Sequence, residues 1–439
     1  MLMIRSSSTS AFSGASALSR RSFSRTPSQS LAALVNGFKP LDEPLHLSVD
    51  DGYGFARIKS GDNLGQHDRF SVIRRLGWGM YSSTWLAKDH QDKKHVAVKV
   101  LTGFATRLAH EGLTPELDVL RKLSSSPHGA EPKEGHCLSL HSNFLHPGRA
   151  DTGPHLCLVT DVFGGDVEHL KRIYARNGFP LSLAKRILFH TLKGLTTMHQ
   201  QGIVHTDLKH DNILFDGGNT DLGSADPLPI PSINEALDRT FVIADFGNGE
   251  YRRSVFIQAI KPSHFSLITV LAQFVGKPTF DEITAEALRA PETLLRGPWD
   301  EKVDIWTFGC LAFEFLCGRQ LFKKRSYSEH LLDTVGGHLW RMQCFTDEKF
   351  DVEQLKNSEL GYTYFDASCQ LRSRPPLLSH TVSKILASFN ILDTEQLGTT
   401  ASFLHRCLRL DPHNRASAEE LLDDPFWVGV HDGVSAEKA

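Results

Sequence analysis

Along this chain the spacing of apolar positions takes on a regular character at Phe70. There "RFSVIRRLGWGMYSSTWLAKD" presents two apolar stretches around a glycine-bearing turn, which predicts a β-hairpin. "HVAVKVL" follows as a third strand of alternating and β-branched residues. Thr114 and Pro115 then open a helix through Leu123, with Leu117, Leu120 and Leu123 on one face. "HLCLVTDVF" predicts another strand, ended by Gly164 and Gly165. Beyond it the period is mostly helical, most clearly over residues 181–200 and 303–318. The longest apolar stretch, 303–317, is interrupted by Asp304 and Glu314 and is too short to span a bilayer, so it is expected as a buried helix. The whole reads as an α+β protein, a small β-rich lobe followed by a larger α-rich one, with no internal repeat.

Composition changes this picture little. The 439 residues suit either two domains or one two-lobed enzyme, and 40% hydrophobic with 23% charged residues is an ordinary globular balance. A net charge of −3 argues against a global field for nucleic acid or an anionic membrane. Seven cysteines are scattered without metal-ligand spacing, which points to a reducing compartment. The N-terminus departs from the rest. Residues 1–41 hold no Asp or Glu but carry Arg5, Arg20, Arg21, Arg25 and Lys39 among many serines. That is the composition of a mitochondrial transit peptide, and Arg21-Ser22-Phe23-Ser24 resembles a matrix-peptidase site. A disordered Ser-rich tail is the alternative reading.

The chemistry concentrates in a few short stretches. Gly77-Trp78-Gly79 sits on the hairpin turn, where missing side chains let backbone N–H groups approach a phosphate; alone this is a weak signal, and Ser82 stands where a third glycine would. Lys99, in the apolar strand "VAVKV", needs anionic partners, which Glu116 on the next helix and phosphate oxygens can supply. "IVHTDLKHDNILF" places Asp207, Lys209 and Asn212 in one loop after a helix. A carboxylate there can orient and accept the proton of an attacking hydroxyl, a lysine can neutralise a phosphoryl group in transfer, and an amide oxygen can bind a metal. "FVIADFGNG" adds Asp245 as a second hard ligand directly after an apolar strand. Phosphoryl transfer rests on positioning and charge neutralisation, and these are the groups it needs.

Taken in this order, the motifs resemble those of the eukaryotic protein kinases. "LRAPE" resembles the Ala-Pro-Glu motif that closes the activation segment, "VDIWTFGC" the central helix that anchors the catalytic loop through Asp304, and "DPHNRAS" supplies Arg415 as the expected partner of Glu292. The resemblance covers about residues 70–427. It implies a bilobal fold with an N-lobe over 70–163, a C-lobe over 164–428, and segments 1–45 and 429–439 outside them. It also implies ATP as phosphoryl donor, held by Leu76, Gly77, Trp78, Gly79, Thr84, Ala97, Lys99, Asp161 and Phe163, with Mg2+ on Asn212 and Asp245. Asp207, Lys209, Lys99 and Glu116 would be the catalytic set.

Three features narrow the family. Trp78 after the first glycine, Ser82 in place of the third, and Thr206 where most kinases have Arg all resemble the serine/arginine-rich protein kinases, and "FDEITAEALRAPE" resembles their fungal members. The LAMMER kinases are disfavoured, because their naming motif is absent after Gly318. The subfamily implies substrates rich in Arg-Ser dipeptides, such as splicing factors, a monomer that binds no nucleic acid directly, and residence in cytoplasm and nucleus. Without an Arg at position 206 the enzyme is expected to be active without an activation-loop phosphate. Asp347, Glu348, Asp351 and Glu353 lie where family members dock substrates, though Lys349 and Lys356 dilute them and a solvated charged face is an equal reading. The long charged spacer of better-known members is replaced by a short loop over 217–238.

One stretch breaks the family pattern. "EYRRSVFIQAIKPSHFSLITVLA", residues 250–272, intervenes before the Ala-Pro-Glu motif, and its removal joins "DFGNG" to "QFVGKPTFDEI". Its ends can be encoded as a splice donor and acceptor, so it reads as a translated intron. As a genuine insertion it would lie where substrate must dock. Two functions therefore compete: an active Ser/Thr kinase, favoured by the intact catalytic set, and a pseudokinase scaffold, favoured by the insertion. Small-molecule kinases are a distant third, since the Ala-Pro-Glu segment and Arg415 belong to protein kinases.

Overall fold

The alternating stretches from Phe70 onward form strands because each presents one apolar row to a core. In the computed structural model, which describes residues 43–125, 136–221, 223, 228–248, 250–251, 284–378 and 381–430, a six-stranded antiparallel sheet comes first. Its strands are β1 (Asn63–Leu64), β2 (Phe70–Gly79), β3 (Ser82–Asp89), β4 (Lys94–Leu101), β5 (Leu140–His146) and β6 (His155–Thr160), in the order β1-β2-β3-β4-β6-β5. Phe70, Val72, Trp85, Val96, Val98, Val100 and Cys157 fill one face. Two helices follow β4: α1 (Gly103–His110), capped by the Thr102 hydroxyl, and α2 (Glu116–Ser124). The N-terminal Ser/Arg-rich stretch up to residue 42, nearly all of 250–272 and the tail from 431 lie outside the described residues.

The strand expected over "HLCLVTDVF" is in fact two. β6 ends at Thr160, and β7 (Phe163–Asp166) joins a different, three-stranded sheet by pairing with Ile213–Asp216, which pairs in turn with Phe241–Ile243. Gly164 explains the switch: a Cβ there would lie 2.9 Å from the Asp216 carbonyl oxygen, so only glycine lets the two backbones approach. The helical lobe follows, with α3 (Val167–Tyr174), α4 (Leu181–Gln200), β8 (Ile203–Val204), β9 (Ile213–Asp216), α5 (Ile233–Leu237), β10 (Phe241–Ile243), β11 (Glu250–Tyr251), α6 (Pro291–Leu294) and α7 (Lys302–Cys317). Then come α8 (Thr334–Thr346), α9 (Val352–Lys356), α10 (Gly361–Tyr364), α11 (Val382–Phe389), α12 (Thr394–Cys407) and α13 (Ala418–Leu422).

Helix α7 is buried from Val303 to Cys317, its apolar residues reaching all round the helix with only Asp304 and Glu314 among them, and ends on Gly318 at φ 68°. It packs with α4 and α12 around Leu188, Leu192, Leu195, Phe308, Leu311 and Phe403. All seven cysteines are buried free thiols. Among the described residues no helix is long and apolar enough to cross a membrane.

Candidate active site

Strand register aligns the first half of the site. Gly77 pairs with Thr84, Thr84 with Lys99 and Lys99 with Leu158, so the glycine turn and the lysine sit on one row of the sheet. Leu76 is half-buried beside this row, and Ala97, 7% exposed, pairs with Leu86 on one side and Thr160 on the other. A Cβ built on Gly77 or Gly79 meets nothing within 4 Å, so no protein packing demands glycine there. The open space suits a phosphate cradle, the fit that ATP requires. Phe163 lies on β7 opposite Asp216. The carboxylate of Asp161 is taken up by His141 at 2.7 Å and by Lys94 at 3.8 Å.

Lys99 finds the partners its burial demands. Its Nζ donates to Glu116 at 2.5 Å and to Asp245 at 3.4 Å. Burial disfavours the ammonium, but the two carboxylates outweigh it and lift Lys99 above the ordinary lysine range. Glu116 is 7% exposed at the first turn of α2, where an acidic residue also suits the helix dipole. The ion pair therefore joins sheet, helix and the loop after β10.

The second half hangs on Asp304, buried at the start of α7. Its carboxylate accepts the His205 and Thr206 backbone N–H groups at 2.8 and 2.9 Å and the His199 ring at 3.0 Å. Burial works against its charge, yet these donors hold its pKa below the usual carboxylate value. His205 Nε2 in turn bonds the Ala244 carbonyl at 3.1 Å, tying the catalytic loop to the residue before Asp245. Asp207 accepts Lys209 Nζ at 2.9 Å, and Asn212 donates its amide N–H to the Asp207 carbonyl at 2.9 Å, which leaves the amide oxygen as the acceptor end of the side chain. Ala244 N–H bonds the Asn212 carbonyl at 2.9 Å, so Asn212 and Asp245 are set side by side. The Lys99 ammonium holds the Asp245 carboxyl below the usual carboxylate range, against a smaller opposing effect of partial desolvation.

This donor set fits a hard divalent cation. An amide oxygen and a carboxylate supply two oxygens of six, the pattern for Mg2+ that is completed by phosphates and water. Among the described residues no group of three or more His, Cys, Asp or Glu forms a dedicated protein cage.

Sequence reasoning missed the backbone. Thr206 at φ 65° and Asp245 at φ 62° both occupy the left-handed region, which is uncommon for a non-glycine residue and an outlier for β-branched threonine. It also missed Thr284, buried, whose hydroxyl donates to the Thr206 carbonyl at 2.6 Å. The expected Glu292–Arg415 pair is present, with bonds of 2.6 and 2.7 Å. Of the acidic group expected at a docking face, Glu348 and Asp351 also serve the fold, while Asp347 and Glu353 are exposed. Glu348 accepts the Leu410 N–H at 2.8 Å and pairs with Arg409, Asp351 caps α9, and Glu353 lies 3.7 Å from Lys356.

A two-lobed scaffold with this lysine–glutamate pair, this anchored catalytic loop and this metal-facing Asn/Asp pair defines a phosphoryl-transfer enzyme of the protein kinase type. The protein kinase domain family matches residues 70–427, and the chain belongs to that family. It is similar to Protein kinase dsk1 of Schizosaccharomyces pombe, 37% identical across 86% of this chain and 84% of the relative. It is 25% identical to Serine/threonine-protein kinase SRPK of Physarum polycephalum, over 86% of this chain and 89% of that one. Dual specificity protein kinase lkh1 of S. pombe is also 25% identical, over 88% of this chain and 50% of the relative. The protein is a serine/threonine kinase of the serine/arginine-rich type that uses ATP and a divalent metal to act on proteins.

Proposed function

We propose that the enzyme transfers the γ-phosphoryl group of MgATP to serine in Arg-Ser-rich segments. Asp207 accepts the proton of the attacking serine hydroxyl as the oxygen–phosphorus bond forms. The bond between the β–γ bridging oxygen and the γ-phosphorus breaks, and ADP leaves. Lys209 neutralises the transferring group, and its charge is secured because Asp207 outweighs the opposing effect of burial. Lys99 holds the phosphates, and Mg2+ on Asn212 and Asp245 would shield the developing charge.

The observation that carries the substrate reading is Asp211. It is exposed beside Asn212 and no ion pair engages its side chain among the described residues; partial burial raises its carboxyl pKa, Lys209 and its own backbone N–H lower it, and Asp166 and Asp207 add negative potential around it. A carboxylate so placed suits an arginine flanking the target serine. The test is phosphorylation of an Arg-Ser repeat peptide against a generic basic protein, by chains with and without residues 250–272. Transfer that is lost in Asp207→Ala and whose peptide KM rises about fivefold in Asp211→Asn, at unchanged KM for ATP, supports the reading. Equal use of both substrates, indifferent to Asp211, removes the Arg-Ser assignment. ATP binding without transfer by either form favours a scaffold.

A further inference from the structure

The glycine turn has no packing of its own at Gly77 and Gly79, yet the aromatic side chains flanking it are engaged from outside the sheet. Phe55, 1% exposed, meets Trp78 edge to face at 6.0 Å. Tyr53 stacks on Tyr81 at 6.5 Å, and Tyr81 packs on Phe104 of α1 at 6.2 Å. The segment that supplies Tyr53 and Phe55 precedes β1 and is itself pinned by backbone. Gly103 N–H donates to the Gly54 carbonyl at 2.8 Å, Phe104 N–H to Tyr53 at 3.1 Å and Val49 N–H to Asp151 at 3.1 Å. Side chains are excluded at the crossing. Gly54 has φ 76°, and a Cβ on Gly103 would lie 1.7 Å from the Thr152 carbonyl oxygen. On the far side, Thr102 N–H donates to the Tyr81 carbonyl at 2.9 Å while the Thr102 hydroxyl caps α1, the helix that leads into α2 and Glu116.

We infer that Tyr53 and Phe55 are positioning residues for the nucleotide. They form a strap that fixes the glycine turn against α1 and so holds the phosphate cradle over Lys99. A turn free of internal packing would otherwise move on its two strands, and each nucleotide would have to order it on binding. Neither residue touches the reacting atoms; each acts through Trp78 or Tyr81. Loss of the strap weakens nucleotide affinity and leaves the chemical step alone, because removing an interaction common to ground and transition states raises KM without lowering kcat.

The experiment uses the full chain carrying Tyr53→Ala, Tyr53→Phe and Phe55→Ala. It reads KM for ATP, kcat on an Arg-Ser peptide, peptide KM, and the Kd of ADP by calorimetry, all well below each variant's Tm. Tyr53→Ala, whose ring is half-buried, keeps the test available where the more disruptive Phe55→Ala does not fold. The expected result is a three- to tenfold rise in KM for ATP and in the Kd of ADP for the alanine variants. Their kcat and peptide KM stay within twofold, and Tyr53→Phe restores wild-type values. A lowered Tm with nucleotide affinity unchanged would assign these rings to packing alone and overturn the inference. So would kcat falling as steeply as the affinity.

Discussion

At Arg415 a guanidinium with no solvent exposure donates two hydrogen bonds to Glu292, three to the carbonyls of Arg409, Lys302 and Leu410, and stacks 5.0 Å over the Trp306 ring. A buried pair of this kind adds little over an apolar replacement, but removing one partner strands a charge. Glu292→Gln is therefore expected to lose about 3–5 kcal/mol in urea unfolding, with the double change Glu292→Leu/Arg415→Met recovering much of it. His190 gives a second residue-scale prediction. It sits 4.2 Å from His136, with Phe241 N–H donating to its Nδ1, and burial, aided by the positive charge of neighbouring groups, pushes its pKa down to about 2. The folded state keeps it neutral while the unfolded chain takes up a proton near pH 6.5, so its contribution is complete above that pH and drains away as pH falls. The slope is about 1.4 kcal/mol per pH unit for such a group, so unfolding at pH 5.5 should show roughly that loss relative to pH 7.5. His190→Gln should flatten the dependence, and an unchanged slope would place the acid sensitivity elsewhere. Ion pairs such as Glu292–Arg415 were legible because each partner stands in a recognisable motif. The left-handed Thr206 and Asp245 were not, since neither residue type announces that backbone state.

Among the elements, those with a long single period were readable, and those set by a tertiary crossing were not. Helix α4 spans the expected 181–200, because twenty residues of one apolar face leave no competing pattern. Helix α1 went unread: eight residues after a strand are too few to show a period, and its place is fixed by contact with the Tyr53–Gly54 backbone. The break between β6 and β7 likewise depends on which sheet each strand joins, information absent from local alternation. Within α7, Gly309 marks such a crossing. A Cβ there would lie 2.7 Å from the Cys407 Cβ and 2.9 Å from the Leu408 side chain, so α12 approaches too closely for alanine. Gly309→Ala should gain about 1 kcal/mol of helix propensity yet lose more to overpacking, typically 1–3 kcal/mol. A net fall in Tm checks this, and a rise would mean that the contact yields.

Across the whole molecule, the question is what holds the activation segment to the catalytic loop when position 206 carries threonine in place of arginine. Asp304 grips the His205 and Thr206 N–H groups, the Thr206 carbonyl accepts the Thr284 hydroxyl, and the Thr284 carbonyl accepts Arg289 Nε at 3.0 Å. Among the described residues that relay runs from the central helix to the residue before Ala290-Pro291-Glu292 through hydrogen bonds alone, with no cation at position 206. A phosphate-dependent enzyme would instead expose a cation at 206, whereas Thr206 is 2% exposed. The enzyme is therefore expected to keep full activity after phosphatase treatment. Thr284→Val, which removes the Thr284 hydroxyl as a donor to the buried Thr206 carbonyl, should cost about 1–2 kcal/mol of transition-state stabilisation, a five- to thirtyfold fall in kcat/KM. Both arms are needed. If dephosphorylation removes most activity, the segment is ordered by charge and the relay is incidental. If activity survives dephosphorylation and Thr284→Val is silent, the segment is held by other contacts, and Thr284 is only a satisfied core hydroxyl.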